Sequence, residues 1–270
     1  MNIAWIGAGK MTYAFLKGFS SVPSSEYIHH ISTAHPEKFN EWHQEFNFIQ
    51  HPTNRECVKN ADVIILAVKP QILKTVIEDL RSVVSEHALV VSIAAAVDLS
   101  LLHTWFNRPI KLARLMPNTA VAIRKGSMAL SGSQYLNEDD LQTLEQLFKP
   151  LGSLYRLDES LMNAFIASSG SGIAFVYALM DAFIQASIQQ GLNPEQAQSI
   201  SLETFQAALM MAQASKRPIS NLIDDVCSKG GTTIEGINVL NQADLVDLFN
   251  QTFKATIHKA EALNDGFKSS

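Results

Sequence analysis

"IAWIGAGKMT", Ile3 to Thr12, decides how the first half of the chain is read. A short apolar run meets Gly7, Gly9 follows two residues later, and "MTYAFLKGFSS" continues at helical spacing. Strand, tight turn and helix in that order is the setting of a dinucleotide fingerprint. Its glycines let the backbone approach a pyrophosphate, and the helix start favours the negative charge. Thr12 occupies the third glycine position, so a strand–helix turn with no ligand is the alternative reading.

The surrounding texture favours the fingerprint. Up to residue 157, the strand-like runs "NIAWIG", "YIHHIST", "ADVIILAV", "ALVVSIAA", "IKLARLM" and "SMALSG" recur. "PEKFNEWHQEF", "QILKTVIEDLRSVV" and "NEDDLQTLEQLF" carry helical periodicity between several of them. Such alternation predicts an α/β domain, a Rossmann-type doubly wound sheet with helices on both faces. From residue 158 the pattern becomes helical: "ESLMNAFIASSGSGIAFVYALMDAFIQASIQQGL", "NPEQAQSISLETFQAALMMAQAS" and "NQADLVDLFNQTFKATIHKAEAL". Asn193 is the expected N-cap of the second, with Pro194 at its first position. The expectation is two domains, 1–157 α/β and 158–270 all-α.

Bulk properties exclude several classes. The 270 residues are 47% hydrophobic and 17% charged, with a net charge of −5 and no long basic run, so nucleic acid is not expected as a partner. Cys57 and Cys227 stand alone, without a CxxC pair, which fits a reducing cytoplasm. "MNIAWIGAG" lacks the basic segment of a signal peptide. No apolar run is expected to span a bilayer.

The end of the second strand selects the dinucleotide. An acidic residue there would hold an NAD ribose, whereas a 2′-phosphate needs hydroxyl or cationic donors. "ISTAHPEK" offers Ser32, Thr33, His35 and Lys38, with no carboxylate before Glu37, so NADP is expected, although Lys38 also suits a solvated helix face. "SSGSG" is not a nucleophile elbow, since its first glycine is missing and no histidine is near in sequence. None of the eight histidines has metal-ligand spacing, and no metal is expected. His29 and His30 should point to opposite faces of a strand, and Met210–Met211 read as packing residues. "CSKGGTTIEG", Cys227 to Gly236, reads as a helix start whose glycines leave backbone N–H groups open to an anion.

Together these stretches resemble the pyrroline-5-carboxylate reductase family nearly end to end. The matching motifs are "IGAGKM", "ADVIILAVKPQ", "VVSIAAAV", "LARLMPNTA", "SSGSGIAF" and "CSKGGTTIEG", in the family's order. The resemblance implies a Rossmann domain followed by a helical dimerisation domain, with reduction of L-1-pyrroline-5-carboxylate to L-proline as the reaction. It implies cofactor contacts from Ile6, Gly7, Ala8, Gly9, Lys10, Met11, Ser32, Asn54, Ala67, Val68, Lys69, Pro70, Ile93, Ala94 and Ala95; Thr33 joins them from the residue reading. It also implies that Glu159, Thr232 and Thr233 lie at the substrate. Ser228, Gly230 and Gly231 complete that loop, with Thr233 as the hydrogen-bond partner of the imine nitrogen.

The chain departs from the family pattern at four places. Ala120, Ile173 and Lys229 stand where prolines are usual, and Ala96 where a glycine is; losing prolines is expected to loosen those loops. Imine reduction asks mainly for orientation of hydride donor and acceptor, so no strong side-chain acid is required. The β-hydroxyacid dehydrogenases, a related alternative, use an interdomain lysine, yet none occurs between Lys149 and Lys216. A non-catalytic NADP-binding regulator is the other alternative. A homodimer with NADPH preferred over NADH is expected, a ring of dimers being an open larger assembly.

Overall fold

The computed structural model describes residues 1–22, 26–228 and 230–268. Contact density divides the chain into one unit of Met1–Ser171 with Ala255–Ser270, and a second of Gly172–Lys254.

In the first unit β1 (Asn2–Ile6), α1 (Lys10–Ser20), β2 (Ile28–Ser32), α2 (Phe39–Glu45), β3 (Ile49–His51), α3 (Asn54–Val58) and β4 (Val63–Leu66) follow in order. Then come α4 (Pro70–Leu80), β5 (Leu89–Ser92), α5 (Leu99–Phe106), β6 (Leu112–Met116), β7 (Gly126–Gly132), α6 (Glu138–Phe148), β8 (Gly152–Arg156) and α7 (Met162–Phe165). The strands form one sheet of order β3-β2-β1-β4-β5-β6-β7-β8. Its pairings are parallel except between β6 and β7. This is the Rossmann-type doubly wound sheet expected from the alternation. The edge strands β3 and β8 were not foreseen.

Both faces of the central strands are buried, as a sheet covered by helices requires. Ile3 and Trp5 pack with Phe15 and Phe19 of α1, Phe39 and Trp42 of α2 and Phe148 of α6. Ala4 and Ile6 face Leu73 and Ile77 of α4 and Leu102 and Phe106 of α5. The two histidines of β2 do part to opposite faces. Trp5 Nε1–H donates to His29 Nδ1 at 3.1 Å, while His30 Nδ1 lies 3.0 Å from His51 Nε2. Burial, helped by the neighbouring charge of His30, lowers the His29 pKa to about 4. Cys57 is buried, which pushes its thiol up to about 12.

The helical stretch expected from Glu159 onward is interrupted. A 3₁₀ turn at Glu159–Leu161 precedes α7, and a π turn covers Ile166–Gly170 before α8 (Gly172–Gln189) begins. Small residues in "IASSGSG" weaken the regular ladder there. The run Glu159–Gln189 also corrects the expectation about bilayer-length segments. The run has 31 residues and contains an 18-residue window of mean hydropathy 1.4, long and apolar enough to cross a membrane by length and composition.

In the second unit α9 (Pro194–Ser215) starts as expected, with Asn193 Oδ1 accepting the Gln196 N–H at 2.9 Å. Phe183 of α8 meets Phe205 of α9 edge-on at 5.5 Å. Next come α10 (Ile219–Val226) and α11 (Thr232–Gln242). The sequence predicts the last helix from Asn241, but Asp244 turns at φ 45° and its carboxylate accepts the Asp247 N–H at 3.0 Å. That cap starts α12 (Leu245–Lys268), whose final turns belong to the first unit. Met210 and Met211 are 60% and 64% exposed, so they do not pack within the chain as their sequence suggested. Tyr177, Leu209 and Val239 are exposed as well.

The end of α12 is tied to the sheet unit. Asp98, the N-cap of α5, accepts from Leu101 N–H at 2.7 Å and from Asn264 Nδ2 at 2.6 Å, with Lys268 Nζ at 3.4 Å. Burial alone would raise the Asp98 pKa; these donors outweigh it and hold it below the usual carboxylate value. Phe267 packs on the core beside α5.

Candidate cofactor cleft and substrate loop

The turn from β1 to α1 shows why its two glycines are needed. Gly7 adopts φ +112°, its N–H donates to Ser32 O at 2.8 Å, and a Cβ there would lie 2.8 Å from the Ala67 carbonyl oxygen. Gly9 is different. It is the N-cap of α1 with ordinary φ −90° and no side-chain cap, and a Cβ would meet only Ala67 O at 4.0 Å. The first amides of α1 are thus open toward a ligand. Thr12, the departure from the fingerprint, is fully buried and donates from Oγ1 to Gly7 O at 2.8 Å. Its hydroxyl braces the turn.

A cleft of about 330 Å³ opens over this turn. Gly7, Ala8 and Gly9 form its floor, and Ser32, Thr33 and Asn54 line it on the β2 side. Ala67, Val68 and Lys69, leaving β4, close the other side. These residues fit a dinucleotide: backbone approaches without side chains at the glycines, donors stand at the end of β2, and uncovered helix amides face the middle. Ile6 is wholly in the core and its carbonyl accepts the Ala67 N–H at 2.9 Å. Lys10, Met11 and Pro70 flank the cleft without lining it. Ile93, Ala94 and Ala95 follow β5, next to β4 at the same carboxyl edge; Ile93 N–H donates to Leu66 O at 3.2 Å.

One residue that the sequence alone undervalues stands at the β2 end. Lys38 lines the cleft and its Nζ lies 3.3 Å from Ala8 O, so it is not confined to a solvated face. Glu37 instead reaches His35, at 3.3 Å.

Glu159 is held by a partner the sequence did not indicate. Its Oε1 accepts from Arg114 Nη1 at 2.6 Å and from Leu99 N–H at 3.3 Å. Arg114, on β6, is 2% exposed, and its other guanidinium nitrogens Nε and Nη2 have no partner among the described residues. Arg114 precedes "LMPNT", and a lone charge in an apolar strand was the available signal.

The loop "CSKGGTT" lies in the second unit. Gly230 takes φ +70°, and Gly231 is the N-cap of α11, its N–H donating to Ser228 O at 3.0 Å. A Cβ on Gly231 would fall 2.4 Å from Ser228 Oγ. Thr232 and Thr233 are exposed in the first turn of α11, and no side chain caps it. Its leading N–H groups therefore remain free for an anion. Lys229 lies outside the described residues. At the other altered positions, the Ala120 N–H donates to Asn118 Oδ1 at 3.2 Å, a bond proline could not make, and Ala96 takes φ 60°. Ile173 is the second residue of α8.

Two family models match the chain. Residues 159–263 match the model "Pyrroline-5-carboxylate reductase dimerisation", and residues 2–96 match "NADP oxidoreductase coenzyme F420-dependent". The pyrroline-5-carboxylate reductase of Aquifex aeolicus is 32% identical, with 97% of each chain covered. That of Glycine max is 33% identical over 96% of this chain and 92% of its own. The solved structure of the enzyme from Coxiella burnetii, 30% identical, superposes with a TM-score of 0.86 over 97% of this chain and 98% of its own. With similarity of that extent on a shared fold, the chain belongs to the pyrroline-5-carboxylate reductase family.

Proposed function

We propose that the chain reduces L-1-pyrroline-5-carboxylate to L-proline, with NADPH preferred over NADH. The observation that carries this reading is end-to-end similarity to the pyrroline-5-carboxylate reductases, at 32% identity across 97% of the chain. NADPH, when bound, supplies the hydride that adds to the imine carbon. Gly7, Gly9 and the open start of α1 hold the pyrophosphate; Ser32 and Thr33 donate toward the ribose end, where no carboxylate opposes a 2′-phosphate. In the second unit the uncapped N–H groups at the start of α11, from Thr232 onward, receive the substrate carboxylate; the Gly231 N–H is taken by Ser228 O, and the missing side chains of Gly230 and Gly231 let the anion come close. Thr233 donates or accepts at the ring nitrogen. That nitrogen is protonated readily near neutral pH, so orientation is the chief contribution of these groups.

The reading includes a homodimer in the cytoplasm. The apolar side chains exposed on α8, α9 and α11 support a second copy as their cover, and residues 159–263 match a dimerisation model. On this reading the apolar run Glu159–Gln189 meets protein and not lipid. The test is NADPH oxidation on addition of pyrroline-5-carboxylate, with proline identified as product and sedimentation reporting a dimer. A flat trace from folded protein that binds NADPH would shift the assignment to a non-catalytic regulator.

A further inference from the structure

We infer that Lys38 is the residue that selects NADP(H) over NAD(H), its ammonium leaving the Ala8 carbonyl to pair with the 2′-phosphate. The inference rests on the cofactor reading of the cleft and goes further by naming the charge that discriminates. In a doubly wound sheet the ribose hydroxyls lie at the carboxyl end of the second strand. β2 ends at Ser32, and the 3₁₀ turn Pro36–Lys38 follows at once. Pro36 opens that turn and fixes its entry. Lys38 points back from it, Nζ 3.3 Å from Ala8 O on the cleft floor.

The electrostatic setting favours a phosphate. A neutral carbonyl compensates an ammonium only partly, and no carboxylate pairs with Lys38 among the described residues. Glu37, the acid nearest in sequence, is occupied with His35 at 3.3 Å and does not line the cleft. Lys69 lines the opposite, β4 side, so it does not serve the ribose end. Ser32 and Thr33 are neutral donors. Thr33 Oγ1 accepts from His35 N–H at 3.2 Å, leaving its O–H to donate. Such hydroxyls serve a 2′-hydroxyl nearly as well as a phosphate, whereas a charge-assisted bond forms only with the phosphate. His35 also lines this end but faces Glu37 at 3.3 Å, so discrimination falls to the lysine.

The experiment is calorimetric titration of the full-length protein with NADP⁺ and with NAD⁺, without imine substrate. Lys38→Ala should weaken NADP⁺ binding roughly 10- to 100-fold and leave NAD⁺ within about twofold, as loss of one bond to a charged group implies. Lys38→Arg should keep the preference. Raising ionic strength should weaken NADP⁺ binding more in the wild type than in Lys38→Ala. An unchanged NADP⁺/NAD⁺ ratio in Lys38→Ala would overturn the inference, as would parallel loss of both ligands, which would make Lys38 a brace for the Ala8 loop. A wild type that binds both cofactors equally would defeat the NADP reading itself, and that result is visible before any variant is made. Turnover of the imine does not enter these readouts.

Discussion

Gly7 and Gly9 belong to one motif, yet they should fail in different ways when a methyl group is added. Gly7→Ala meets two costs. The φ of +112° is one that L-residues avoid, and the new Cβ would sit 2.8 Å from Ala67 O and 3.0 Å from Ala67 C, both backbone atoms of β4's exit. A left-handed penalty of ~1–2 kcal/mol and an overpacking cost of ~1–3 kcal/mol give an expected destabilisation of roughly 2–5 kcal/mol. Gly9→Ala meets neither, with φ −90° and only Ala67 O at 4.0 Å. A slightly poorer N-cap offsets the entropy gained by removing a glycine from the unfolded chain, so stability should stay within ~0.5 kcal/mol. Gly9 lines the cleft, however, so its methyl group would take up ligand space beside the start of α1, and NADP⁺ affinity should fall by roughly tenfold or more, the cost of losing a bond to a charged group. Urea unfolding followed by tryptophan fluorescence reads the first cost, because Trp5, Trp42 and Trp105 all lie in the sheet unit. Calorimetry reads the second. Wild-type stability in Gly7→Ala, or wild-type NADP⁺ binding in Gly9→Ala, would refute this division of labour.

His29 should make the sheet unit acid-sensitive. Its pKa falls from 6.5 to about 4 on folding, so its contribution is complete above pH 6.5 and disappears as pH drops through that window. At ~1.36 kcal/mol per unit, roughly 3 kcal/mol is lost by pH 4; His29→Gln, measured by urea midpoints against pH, should flatten the profile. Arg114→Met should destabilise the same unit by roughly 2–4 kcal/mol by leaving Glu159 unpaired, and adding Glu159→Leu should recover most of it; strictly additive losses would deny the pairing. For the substrate loop, Thr233→Ala should lower kcat by at most ~10²–10³ with a smaller rise in KM. Gly231→Val should raise KM steeply, and wild-type kinetics in both variants would remove the loop from the substrate site.

The parts of the fold that were legible in sequence are those where one residue type admits a single explanation. Gly7 could be placed because only glycine suits a turn after an apolar strand, and Asn193 because a capping side chain is followed directly by proline. β3 and β8 escaped notice because edge strands need no alternation of strongly apolar residues: Ile49 is half-exposed and Tyr155 likewise. The short helix α3 is too brief to show a period, and its Thr53 cap became readable only with the Glu56 N–H in place. Asp244 ended a helix by a backbone conformation that aspartate only sometimes adopts, so the run from Asn241 looked continuous. Gly7, Gly9, Ser32 and Thr33 line one cleft as their sequence positions suggested, whereas the partners of the charged groups were not legible. Lys38 and Arg114 meet atoms distant in sequence, on Ala8 and Glu159, and periodicity contains nothing about such pairs.

The anchoring of Asn264, Phe267 and Lys268 beside α5 has a consequence for synthesis. The sheet unit is written in two instalments, separated by the residues 172–254 of the other unit. At ~5–20 residues per second, those 83 residues take the ribosome roughly 4–17 s. Throughout that interval Asp98 lacks the Asn264 amide, and the core beside α5 lacks Phe267. A nascent chain stalled or truncated within α12 would thus present a sheet with its last seam open, at the time when the apolar helices are newly exposed. Chaperone capture of such chains should concentrate in that window and end when the final turn of α12 is released.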